Sequence, residues 1–187
     1  MKQKVYAVLS LFVLLALVLT GCSKEDKNVE ETTAPVGETT TVASFDADLK
    51  DFDALIASVP DDHAYAVVDL GKNNKALLVT DAAMEFDGDL EATEAIVYGY
   101  DKDGKLKEYG TIASTSTAYP FMLNDGYIYF GSHHYISRAT VDPKQSKLVV
   151  KTAREVTNGT EKENKAFNEF FDAYSSGDLI TFELSED

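Results

Sequence analysis

The sequence predicts a mostly β, α+β domain: a curved antiparallel β-meander of about seven to eight strands with one N-terminal and one C-terminal helix. Three observations carry this. From residue 64 to residue 156 the chain is a succession of short β-branched and aromatic runs: "AYAVVDL", "KALLVTD", "EAIVYGYD", "KLKEYGTIA", "GYIYFGS", "YISRATVD" and "KLVVKTAREV". Asp103-Gly104 sits between Tyr98/Tyr100 and Leu106/Tyr109, the residue pair that a tight hairpin turn favours. Finally, strands far outnumber helices, and the strand-helix-strand alternation of a parallel sheet is not visible.

The first element is a leader. Lys2 and Lys4 form a basic start, and Val5 to Thr20 is an apolar run in which Tyr6, Ser10 and Thr20 are the mildly polar members. Sixteen residues in a helix rise about 24 Å, short of the roughly 30 Å hydrocarbon core of a bilayer. A short apolar stretch ending in small residues predicts an export signal. The alternatives are an uncleaved anchor and an ordinary secretory signal with an incidental cysteine. The single cysteine of the 187-residue chain stands where this run turns polar. There Leu19-Thr20-Gly21-Cys22 resembles the lipobox of bacterial lipoproteins, with the small Gly21 at the cut site and Leu19 two residues earlier. The resemblance implies a signal peptide at residues 1–21, cleavage before Cys22, and a diacylglyceryl group (palmitate or similar chains) on the Cys22 sulfur. The partner would then be membrane lipid through acylated Cys22. The location would be the cell membrane, lipid-anchored and facing outside the cytoplasm. A Cys22 spent on a thioether leaves no thiol for a disulfide or a metal, so the exported domain has to rely on its apolar core.

Charge narrows the partners. The full chain carries 17 basic and 32 acidic side chains; without residues 1–21, which hold Lys2 and Lys4, 15 basic remain and the formal net charge is −17. Such acidity argues against nucleic acid and against peripheral contact with anionic lipid, both of which need basic residues. Solubility in a negatively charged envelope accounts for it, and an acidic docking surface is the other reading. After the lipidated Cys22, residues up to 45 are rich in Thr and Glu and follow neither apolar period, which predicts a disordered tether.

Residues 46–187 then form a single globular β-rich domain. Asp46 or Asp48 is the expected cap of a first helix, in which Leu49, Phe52, Leu55 and Ile56 recur at helical spacing before Pro60 stops it. The seven runs follow as strands, with Pro143 and Gln145 in a second hairpin turn. Ala166, Phe167, Phe170, Phe171 and Tyr174 make the apolar stripe of a C-terminal helix, and "LITFEL" closes the domain as a last strand.

Candidate chemistry is sparse. "YAVVDLGKNNKALLV" resembles a worn version of the strand–"D-x-D-G-D-G-x-x-E-L"–strand loop of many secreted and lipid-anchored bacterial proteins, where clustered carboxylates commonly bind calcium. Calcium needs six to eight oxygens. Here Asp69 keeps the first position, Gly71 replaces the second Asp, Asn73 and Asn74 fill the middle, and Ala76 lies near the expected Glu. The reading is a turn that keeps the shape without the ion, with calcium as the minor alternative and no other cofactor expected. Asp87, Asp89 and Glu91, around Gly88, form a second acidic group: a metal loop or, with more weight, a solvated loop between strands.

His133-His134 follows Gly131-Ser132. Neighbouring strand residues point to opposite faces, so the two histidines are poorly placed to chelate one ion, and a bend or strand-edge role is expected. No G-x-S-x-G elbow marks Ser132 as a nucleophile. Tyr98 with Tyr100, and Tyr127 with Tyr129, share a face within their strands. Exposed rows of such rings would suit a sugar or peptide, whereas half-buried tyrosines suit any hairpin sheet. Tyr98, Tyr100, Tyr127, Tyr129 and His134 are therefore the candidate ligand face. The stretches "AIVYGYDKDGKLKEYGTIAS" and "GSHHYISRATVD", within residues 64–156, are similar to the C-terminal domains of small uncharacterised lipoproteins of Gram-positive bacteria, a group with no assigned activity to carry over. The expected function is a non-catalytic surface module that binds an unidentified surface protein or glycan. A small envelope hydrolase using His134 with a carboxylate, and a calcium-stabilised surface domain, are the alternatives.

Overall fold

The computed structural model describes residues 29–32 and 51–185. After β1 (Val29–Thr32) comes a short helix, α1 (Phe52–Ile56), then a hairpin of β2 (Ala64–Asp69) and β3 (Lys75–Thr80). A small ribbon of β4 (Met84–Phe86) and β5 (Asp89–Glu91) precedes a larger hairpin of β6 (Glu94–Tyr100) and β7 (Leu106–Ala113). A meander of β8 (Met122–Asn124), β9 (Tyr127–Ser132), β10 (Tyr135–Asp142) and β11 (Lys147–Arg154) follows. Last come α2 (Lys165–Ser175) and two short strands, β12 (Asp178–Leu179) and β13 (Glu183–Leu184).

The protein is mostly β with two helices, and its strands pair antiparallel in open sheets. One sheet has six strands in the order β1-β11-β10-β9-β8-β12; the other has five, in the order β13-β2-β3-β6-β7. The seven runs seen in the sequence are the long strands of these sheets. The meander breaks after β7 and folds back, so that the two sheets face each other. "LITFEL", expected as one strand, is two bridges in different sheets: Leu179 pairs with Met122 on β8, and Glu183 with Tyr65 on β2. Between them Ile180 and Phe182, both buried, turn into the space between the sheets.

Strand parity builds the rest. Ala66, Val68, Leu78 and Val97 of one sheet meet Ile128, Phe130, Val141 and Val150 of the other around Phe121, which is fully buried. Several of their immediate neighbours face outward and are covered as well. Leu77, Val79, Ile96 and Tyr98 lie under Phe52 and Leu55 of α1, while Tyr129, Ile136 and Ala153 lie under Ala166, Phe167 and Phe170 of α2. The result is helix on sheet on sheet on helix. Within the central layer Ser137 and Thr152 satisfy each other through a hydroxyl–hydroxyl bond of 2.7 Å. At one end the sheets touch through their turns: a Cβ on Gly126 would stand 2.5 Å from the Leu70 carbonyl oxygen, so only glycine fits there.

Three local expectations change. Asp51, rather than Asp46 or Asp48, caps α1, its carboxylate accepting the Ala54 N–H at 2.8 Å. Leu49 lies outside the described residues. Of the stripe on α2, Phe171 remains 39% exposed. Thr160 and Glu163 exchange hydrogen bonds just ahead of that helix, the Thr160 N–H donating to the Glu163 carboxylate at 2.8 Å and the Glu163 N–H to the Thr160 hydroxyl at 3.4 Å. Four residues of the stretch read as a tether, Val29–Thr32, pair with Lys151, Val150 and their neighbours as an edge strand on β11. The remainder of that stretch lies outside the described residues.

Phe121 is central to the layer between the sheets, its ring meeting Phe130 edge-on at 6.1 Å. Phe121→Ala is expected to cost about 3–5 kcal/mol in a urea unfolding series. Phe86→Ala, at a position 64% exposed on the ribbon, should stay within about 0.5 kcal/mol.

Candidate functional site

The four tyrosines do not form one surface. Tyr98 is buried beneath α1, and Tyr100 stacks on Phe52 with ring centroids 4.8 Å apart while its hydroxyl accepts the Phe52 N–H at 3.1 Å. Burial, reinforced by Glu108, raises the Tyr98 phenol well above its ordinary value. Tyr129 is buried beneath α2, edge-on to Phe170 at 6.2 Å, and Tyr127 lies beside it. Each pair shares a face, as its spacing requires, but the two faces are the opposite outer sides of the paired sheets.

The two histidines occupy the turn between β9 and β10 and diverge. His134 Nδ1 is 2.8 Å from Glu155 Oε2, with the imidazole exposed. His133 Nδ1 lies 3.1 Å from the Tyr119 hydroxyl, the rings edge-on at 5.2 Å. Ser132 Oγ accepts the main-chain N–H of His134 at 3.4 Å.

The acidic positions serve turns. Asp69 Oδ1 accepts the Gly71 N–H at 2.7 Å, and Gly71, Lys72 and Asn73 take positive φ in succession. Asn74 donates its side-chain amide to the Val141 carbonyl at 2.9 Å, tying this turn to the facing sheet. Asp87 and Gly88, also at positive φ, turn the ribbon and bring Asp89 and Glu91 onto β5. Among the described residues no three His, Cys, Asp or Glu side chains converge as a metal shell. Leu19, Thr20, Gly21 and Cys22 lie outside the described residues.

Two features escaped the sequence pattern. The Arg138 guanidinium lies between two rings, 4.5 Å from the Tyr127 centroid and 4.6 Å from the Phe170 centroid. A cleft of about 900 Å³ opens at the edge of the five-stranded sheet, lined by Asp53 and Ile56 of α1, Tyr65 of β2, and Glu183, Leu184 and Ser185 at β13. The Tyr65 hydroxyl donates to Glu183 Oε2 across it at 3.0 Å. Residues 53, 65 and 183 are brought together by α1 packing and by the β13–β2 bridge, and neither leaves a periodic trace in the chain. No family model, no curated protein and no solved structure matches the chain.

Glu91 sets a pH dependence. Burial first, then Asp89 and Asp87, raises its carboxyl above the usual carboxylate range, so the folded state favours the protonated form. The associated stability is complete below the unfolded-state value and is lost as pH rises through the folded one. Glu91→Gln, neutral throughout, should therefore raise the melting temperature at pH 7. The gain should shrink towards zero by about pH 3.5, and a gain that is the same at both pH values would remove the assignment.

Proposed function

We propose that the protein is a lipid-anchored cell-surface lipoprotein whose folded domain is a non-catalytic binding module. The observation that carries this is Leu19-Thr20-Gly21-Cys22, at the end of a leader that is basic and then apolar. Acylation supplies the membrane partner. Two chains with roughly 30 buried methylenes at ~0.8 kcal/mol each give on the order of 20 kcal/mol of gross transfer energy, whereas one chain would hold only marginally. The acidic domain has no attraction to an anionic lipid surface and would present its edges and turns outward to a surface protein or glycan.

A second reading, a small envelope hydrolase, is favoured by one observation, the His134–Glu155 contact at 2.8 Å. A carboxylate that orients an imidazole is half of a general-base pair. Against it, both groups face solvent and the Ser132 hydroxyl is bonded to main chain. His134→Ala separates the readings: a binding module keeps its function, and a hydrolase loses it.

The intact mass of the mature chain tests the anchor. It should begin at Cys22 and carry the excess of a diacylglyceryl group, with or without an N-acyl chain. Cys22→Ala should leave the precursor uncleaved. A mature chain that starts elsewhere, or an unmodified Cys22, overturns the proposal.

A further inference from the structure

The sheet edges of this protein are closed unequally. β7 presents exposed Lys107 and Glu108 along its edge, and β11 is capped by the acidic strand β1. β8 is covered by β12, and β2 is covered by β13 only opposite Ala64 and Tyr65. The hydrogen bond from Leu70 N–H to Asn74 C=O, 2.8 Å, sets the alternation along β2: even-numbered residues bond to β3, and odd-numbered residues turn their N–H and C=O to the other side. His63 and Tyr65 meet Ser185 and Glu183 on that side. Val67 and Asp69 come next, and among the described residues no strand lies beside them. Val67 is 48% exposed on the same face as Tyr65, whose ring lines the cleft, and Leu184, also lining it, is 55% exposed.

We infer that this edge and cleft form one site that receives an extended, basic and apolar peptide segment of another protein as an added strand. Resting on the binding-module reading, the inference names its surface and its ligand class. Main-chain groups of Val67 and Asp69 supply the ladder that an added strand needs. Ile56 and Leu184 offer apolar contact. Asp53 and Glu183 supply negative charge, and among the described residues no basic side chain lines the cleft, so alternate side chains of the segment are cationic. A second copy of this chain fits poorly, because it would bring another strongly acidic surface against the first.

The probe is an acetylated octapeptide of alternating Lys and Val, tested by fluorescence anisotropy on the full mature chain in detergent. Its Glu–Val counterpart and a Lys–Val peptide N-methylated on alternate residues serve as controls. The Lys–Val peptide should bind and slow amide exchange at residues 65–69, and both controls should bind about tenfold more weakly. Val67→Pro removes the outward N–H without touching the β3 ladder and should lower affinity about tenfold. Should that variant melt early, the N-methylated peptide decides, since it leaves the protein unaltered. Asp53→Asn with Glu183→Gln should flatten the salt dependence of binding. Equal binding of the N-methylated peptide overturns the inference. So does self-association through Val67, seen by sedimentation, with no peptide binding. An unmodified Cys22 with peptide binding intact would remove the anchor and leave this site standing, whereas an acylated chain that ignores the peptide would remove only the site.

Discussion

A strand has two faces, and at the centres of both sheets of this protein both faces are buried. That single constraint organises the molecule. Leu77 and Leu78 are adjacent and fully inaccessible, yet they belong to different cores, one under α1 and one between the sheets. Ile96 and Val97 divide in the same way, as do Tyr129 and Phe130. At roughly 25 cal/mol per Å² of apolar surface, an uncovered outer row would forfeit as much stabilisation as the inner one supplies. Each sheet therefore requires a helix, and the chain provides a five-residue one on one side and an eleven-residue one on the other.

Covering the faces decides where chemistry can occur. Rings that would make a ligand platform on an exposed sheet are here mortar between sheet and helix, and hydroxyls are turned to internal partners: Tyr100 to the Phe52 N–H and, from α2, Tyr174 to the Pro120 carbonyl. Tyr174 shows the energetic consequence. Burial first, then Tyr119 and Glu91, pushes its phenol up to about 12, so it remains a neutral donor at any physiological pH. Arg138 is the polar counterpart, a cation held between two rings where a carboxylate would have been the simpler partner in so acidic a chain. What stays open to solvent is turns, the β4–β5 ribbon, sheet edges and the outer faces of the helices.

The long elements were legible because each carries the composition of a strand over six to eight residues: β2, β3, β6, β7, β9, β10 and β11 coincide with β-branched and aromatic runs bounded by turn signals. The stripe on α2 was legible from its helical spacing. Elements of two or three residues have too few positions for any period, so β4, β5 and β8 passed as loop, and "LITFEL" passed as one strand although its ends serve different sheets. The capping residue of α1 was missed by a few positions because several aspartates precede it and only the fold selects Asp51. The tyrosines were placed correctly within their strands, but whether a face is exposed depends on which helix returns over it, and strand spacing carries no record of that. The cleft was invisible for the same reason, since it is assembled from three segments remote in sequence.

The opening at β2 follows from a contest that magnitudes decide. In register with Glu183 opposite Tyr65, the residues before Glu183 would continue alongside Ala66, Val67 and Val68 and close the edge. They instead cross to the other sheet. The Phe182 N–H bonds the Leu90 carbonyl at 2.7 Å and the Ile180 N–H bonds the Phe121 carbonyl at 3.0 Å, so both of these donors are satisfied away from β2. Burying the side chains of Ile180 and Phe182 stabilises by about 1.5–3 kcal/mol each, while an edge hydrogen bond that water can replace contributes about 0.5–1.5 kcal/mol. The crossing wins, and it fastens the two sheets together at this edge. The stretch of β2 beside which no described strand lies is what that stronger interaction leaves behind, and a second strand can engage its outward groups without dismantling any part of the core.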